Sequence, residues 1–185
     1  MTLAPSEPIA TVTPDTAAQV GRRVALDEIE SPLVRDFAAL WAAKRGGRRF
    51  PAREAISPRD MARFLRHVTL YRVTPDGSGF EYRVMGDAAV QAWGRSFIGC
   101  GRQELNRIHA GMGDVIQRIC ASIARRGEPL VLRGELSKGE FEHIDQESLF
   151  LPLGPDDATV DHVLSISWYT PKPPVPSRAA RTPQG

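Results

Sequence analysis

The residues of this chain with chemistry to offer are few and scattered. The four histidines, His67, His109, His143 and His162, form no His-x-x-x-His pair, and Cys100 and Cys120 form no Cys-x-x-Cys pair. The ligand spacing that holds zinc is therefore missing. No Gly-x-Ser-x-Gly elbow presents a nucleophile. Gly99 and Gly101 follow no predicted strand and lack the fuller Gly-x-Gly-x-x-Gly spacing of a dinucleotide loop. No nucleophile–base or paired-carboxylate pattern stands out. No catalytic residue and no metal ligand is assigned on these grounds. Two cysteines in 185 residues make no disulfide framework and point to a reduced compartment.

The charges are uneven although the net is only +2. Residues 44–72 hold nine basic and two acidic side chains, and residues 135–161 hold eight acidic and one basic. The first block reads either as a surface for an acidic partner or as a solvated face neutralised by the second block, within the chain or across a dimer. The second reading is preferred. Arg48, Arg49 and Arg53 cluster, but no aromatic residues interleave to stack bases. Nucleic acid is not expected as a partner. No apolar run approaches the roughly 20 residues of a membrane span. The N-terminus lacks a basic start followed by an apolar stretch. The expectation is a cytoplasmic protein with no membrane contact.

The elements that would position these residues occupy the middle of the chain. The hydrophobic fraction of 42% and charged fraction of 25% are globular values, and one core of useful size fits this length. Residues 1–30 and 171–185 lack apolar periodicity and are rich in Pro, Ser, Thr and Ala, so both are expected to be disordered tails. Ser31-Pro32 opens a helix whose apolar residues fall at i, i+4, i+7 and i+8, and Gly46-Gly47 ends it. Ser57-Pro58-Arg59-Asp60 predicts a second, short helix. Residues 67–84 read as a β-hairpin turning at Pro75-Asp76-Gly77. A short helix over 87–93 and an irregular stretch over 95–106 follow. The clearest helix spans 111–126, and three strands are predicted at 130–136, 148–153 and 160–169. That order gives an α+β domain: a five-stranded antiparallel sheet with helices on one face and an N-terminal helical extension. The extension is residues 31–66 and the domain proper residues 67–170.

The order of elements is that of a PAS domain, and five short stretches resemble a family of small stand-alone bacterial PAS proteins. They are Trp41 with 46–53; Ile56-Ser57-Pro58; Phe80-Glu81-Tyr82-Arg83-Val84-Met85-Gly86; Trp93-Gly94-Arg95-Ser96-Phe97-Ile98-Gly99; and Glu147-Ser148-Leu149-Phe150-Leu151-Pro152-Leu153. The resemblance covers roughly residues 31–169 and implies a sensory or regulatory module without a catalytic residue. Some PAS domains hold haem through a histidine on the long helix; His109 precedes that helix, and an ordinary helix-start histidine is the preferred reading. Cys100 lacks the Asn-Cys-Arg-Phe surroundings of a flavin-reactive cysteine. The cofactor is left unassigned.

In a PAS fold a ligand lies between the long helix and the sheet. The residues offered to that space are Tyr82, Val84, Trp93, Phe97, Ile116, Cys120, Leu149 and Leu151, with Arg95 as an anchor for an acidic group or a rim ion pair. Such a site suits a small, largely hydrophobic ligand; the same residues also read as an ordinary packed core. Leu33, Phe37, Leu40 and Trp41 form the apolar face of the first helix, which must either cover its own sheet or pair with another copy. A homodimer is expected through that face. No kinase phospho-acceptor box, cyclase signature or DNA-reading helix-turn-helix is visible, so the expected effector is a separate signalling protein. The rivals are a ligand-free structural adaptor and, behind it, a small-ligand enzyme.

Overall fold

Alternation of apolar residues and turn chemistry between them produce one antiparallel sheet, which the computed structural model describes within residues 21–138 and 142–172. Its strands are β1 (Arg22–Val24), β2 (Val68–Val73), β3 (Phe80–Met85), β4 (Leu130–Lys138), β5 (Glu142–Leu153) and β6 (His162–Pro171). They lie in the order β1-β4-β5-β6-β2-β3. The helices are α1 (Pro32–Arg45), α2 (Asp87–Trp93), α3 (Arg102–Ile108) and α4 (Met112–Arg126). The tails expected over 1–30 and 171–185 lie outside the described residues for 1–20 and 173–185.

Six strands stand where five were expected. The extra one, β1, falls inside the stretch assigned to the N-terminal tail and pairs with β4 from Arg22–Arg133 to Val24–Val131. Three residues are too few to show alternation, and only Val24 among them is buried. Strand β5 begins at Glu142, six residues before the apolar run that predicted it at 148. Its first half carries Glu142, Asp145 and Glu147, whose charges hide the strand signal from a hydropathy reading. Helix α3 replaces part of the irregular stretch read over 95–106. Its close approach to α4 depends on Gly113, where a Cβ would collide with the Arg102 carbonyl.

Helix α1 opens at Ser31, whose hydroxyl accepts the Val34 N–H, with Pro32 in the first turn. Val34, Phe37 and Trp41 are buried against β5 and β6. The Trp41 indole Nε1 donates to the Pro152 carbonyl at 3.0 Å. Phe37 meets Phe64 edge-on, ring centroids 5.0 Å apart. Leu33 and Leu40 are half-buried on the same core. Of the two arrangements open to this helix, the chain takes the first: α1 covers its own sheet. Phe37 and Trp41 are thus buried within the single chain and Leu33 and Leu40 half-buried beside them, so the face expected to pair with a second copy packs on its own sheet.

Glu147 of β5 secures the start of α1. Its carboxylate accepts the N–H of Glu30 at 3.0 Å and of Ser31 at 2.8 Å, and a 2.7 Å bond from Arg133 Nη2. Burial alone would raise its pKa. The Glu30 N–H, Arg133 and the Ser31 N–H outweigh that and hold it below the usual value.

Residues 57–64 keep the predicted start signal without the predicted helix. Ser57 N–H and Oγ donate to Asp60 Oδ2 at 2.9 and 2.7 Å, and Asp60 N–H returns a bond to Ser57 Oγ at 3.3 Å. Successive turns follow, ending in a 3-10 turn at Leu65–His67. Tertiary packing overrides the local signal, because Phe64 is buried against Phe37 and the Leu65 and Arg66 carbonyls press on Gly86.

The fold makes two predictions. Glu147→Ala leaves the Ser31 N–H and Arg133 without their partner and should cost about 1–3 kcal/mol in urea unfolding; an unchanged midpoint and slope would refute the anchoring role. Lys44 and Ser57 together hold the Asp60 carboxyl down at about 2. Its folded value is depressed, so its contribution is present above the ordinary value of 3.8 and is lost as pH falls toward about 2. Asp60→Asn should remove that part of the acid-unfolding curve and leave the neutral region's shape unchanged.

Candidate functional site

The two faces of the sheet carry different covers. Helix α4 lies over one face, α1 over the other, and β5 touches both. Side chains alternate along a strand, so Gln146, Ser148 and Phe150 face α4 while Glu147, Leu149 and Leu151 face α1. Between α4 and the sheet is a cavity of about 40 Å³. Trp93, Met112, Ile116, Ile119, Ser148 and Phe150 are among its walls, with Gln146 and Gly134 at one end. It is large enough for about three water molecules and far below the roughly 300–1,000 Å³ of a drug-sized site.

Its floor is polar. Ser148 Oγ and Ser167 Oγ are 2.7 Å apart, and Gln146 Nε2 donates to Ser148 Oγ at 2.5 Å. The Tyr169 phenol, whose pKa burial raises, is hydrogen-bonded by Ser167 and Trp93. His109 stands beside this group with its ring 5.9 Å from Trp93 and 5.8 Å from Phe97, and its buried Nε2 has no hydrogen-bond partner among the described residues.

The sequence placed nine residues at one ligand site, and the structure divides them. Trp93 and Ile116 line the cavity. Tyr82, Phe97 and Cys120 are buried in the core outside its lining. Tyr82 meets Phe97 edge-on at 5.7 Å and Tyr71 at 4.7 Å. Arg95 is exposed and anchors nothing in the cavity. Leu149 and Leu151 belong to the opposite face, under α1. Val84 also changes face. The β2–β3 register shifts so that Leu70 pairs with Val84 while Tyr71 pairs with Tyr82, leaving Arg83 as the extra residue of a bulge. Tyr82 thus faces inward while Val84 is 41% exposed on the other side.

The residues that sequence reasoning missed are mainly Met112, Ile119, Gln146, Ser148 and Phe150. Met112 and Ile119 were in plain sight on the apolar stripe of α4. Ser148 and Ser167, serines amid buried strand residues, were the available signal for a polar floor. Among the described residues no group of three or more His, Cys, Asp or Glu side chains comes together to hold a metal. Haem does not fit beside His109, since the imidazole is packed among aromatic rings and the neighbouring cavity is too small.

Burial raises the Tyr71, Tyr82 and Cys120 pKa values, so all three stay protonated at neutral pH. Among the described residues, three of the nine basic residues of the 44–72 block meet carboxylates of the chain. Arg48 meets Asp157 at 3.3 Å, Lys44 meets Asp60 at 2.7 Å and Arg63 meets Asp36 at 3.0 Å. Arg49 donates to the Arg126 carbonyl.

A thiol held neutral and fully buried should be inert. With a disulfide-exchange reagent at neutral pH, Cys120 should stay unmodified in the folded protein and react only on denaturation. Rapid native labelling of Cys120, located by peptide mapping, would contradict this placement.

Comparison with known families matches residues 29–167 to the PAS domain. Comparison with curated proteins and with solved structures found no match. Among the described residues no helix is long and apolar enough to cross a membrane. The family match takes in all four helices, β2–β5 and most of β6, and by it this chain belongs to the PAS-domain family of sensory and regulatory signalling domains.

Proposed function

We propose that this domain acts as a regulatory switch on a separate signalling protein, set by a small, largely apolar ligand between α4 and the sheet. The observation that supports it is the two-sided contact of β5. Ser148 and Phe150 line the cavity, while Glu147 holds the start of α1 and Leu149 and Leu151 lie beneath that helix. A molecule that displaced Phe150 or entered beside Ser148 would move the strand on which α1 rests. A ligand that favours one seating of α1 shifts its population, and the outer surface of α1 is what a partner would read. The mechanism requires no catalytic group, so the protein is read as a regulator and not an enzyme. The small cavity favours a second reading, a ligand-free adaptor whose core is simply filled.

Ile116→Phe puts a ring into the cavity and tests the coupling. With the melting temperature retained, hydrogen exchange of the α1 amides should accelerate relative to wild type. Unchanged α1 protection would sink the switch. Native mass spectrometry of the purified protein separates the two readings: bound mass supports the sensor and a bare chain supports the adaptor.

A further inference from the structure

On the face of the sheet opposite α4, the 53–65 segment roofs a second cavity of about 240 Å³, six times the volume of the first. Its walls are aliphatic and include Ile56, Met61, Val68, Leu70, Val84 and Leu164. No aromatic ring lines it. Val84 reaches it only because the Arg83 bulge turns that side chain away from the core, and Val84 and Leu65 at its mouth are both 41% exposed. Apolar surface of this kind is normally covered.

The chemistry at the mouth identifies the cover. Arg53, half-buried, contributes to the lining, and its side chain has no ion pair or hydrogen bond among the described residues. Arg72 follows Leu70 on the same face of β2 and is likewise unpaired among them. Elsewhere in the basic block Lys44, Arg48 and Arg63 have found acids; of the remaining arginines Arg53 is the one that lines this pocket. The carboxylate opposite Arg72 across the strand pair, that of Glu81, is already bonded to Arg83 at 2.9 Å. An aliphatic pocket with an unsatisfied guanidinium at its entrance fits an apolar chain ending in an anion.

We propose that this pocket binds a medium-chain aliphatic monocarboxylate, its chain between the 53–65 segment and β2–β3 and its carboxylate on Arg53. The site is separate from the α4 cavity and does not rest on the switch proposed for it.

Calorimetric titration of the full chain with octanoate tests the assignment, using octanol as the uncharged control. Wild type should bind octanoate in the micromolar range and octanol at least about tenfold more weakly, since a hydrogen bond to a charged group is lost. Arg53→Gln should weaken octanoate by about tenfold or more and leave octanol unchanged. Val84→Trp, at an exposed position that tolerates a larger side chain, should fill the mouth and abolish binding of both. Matched melting temperatures confirm that the variants are folded. No wild-type binding at millimolar octanoate, or equal binding by Arg53→Gln, would overturn the proposal. Loss of octanoate binding in Ile116→Phe but not in Val84→Trp would also overturn it, placing the ligand under α4 and leaving the switch reading intact.

Discussion

The structure depends on one constraint, a central strand buried on both faces. From 147 to 153, β5 has no solvent side. Gln146, Ser148 and Phe150 meet the α4 layer, and Glu147, Leu149 and Leu151 meet the α1 layer. In the sheet β5 lies between β4 and β6, so its backbone is also paired on both edges. A shift of one residue would exchange the two side-chain sets and put Glu147 into the cavity. Register is therefore strongly specified here. Pro152 has no N–H to give the ladder, and its carbonyl is bonded by Trp41. One bond thus ties the tryptophan of the N-terminal extension to the Leu-Pro-Leu end of the strand.

The charges follow from the same arrangement. The acidic residues of β5 and of the turn after it meet basic residues from β4, from the chain after β6 and from the start of the basic block. Arg133 reaches Glu147 at 2.7 Å and Glu30 at 2.9 Å, and Arg48 reaches Asp157. Most of these pairs are exposed and each contributes little to stability. The buried end at Glu147 differs because its partners include the N–H of Ser31 at the start of a helix. Among the described residues one ion pair, Arg48–Asp157, joins the basic block to the acidic one, and Arg53 of the basic block lines the aliphatic pocket.

The two cavities differ in chemistry as well as size. Under α4 the walls mix aromatic and aliphatic groups with a serine floor, and the space is small. Across the sheet the walls are aliphatic, the space is larger and the polar element is a guanidinium. Ser148 and Ser167 add one polar contact to the otherwise apolar space under α4, whereas the outer pocket suits a chain with a charged end.

The sequence by itself determined the main periodic elements. Helix α4 announced itself through six apolar residues on one stripe, α1 through Ser31-Pro32 and its stripe, and the hairpin through Pro75-Asp76-Gly77. The family and the α+β sheet were readable because local signals of this kind act within a few residues. Tertiary structure decided which way side chains faced. Leu149 and Leu151 could not be assigned a face, because a strand buried on both sides offers no polar residue to mark solvent. Val84 could not be separated from Tyr82, because a bulge is created by pairing with β2 and leaves no mark in β3 alone. Likewise β1 exists because β4 offers it a partner, and the charged half of β5 because β4 and β6 do. The seating of α1 on its own sheet follows from Trp41 meeting the Pro152 carbonyl and Phe37 meeting Phe64, contacts between residues far apart in the chain.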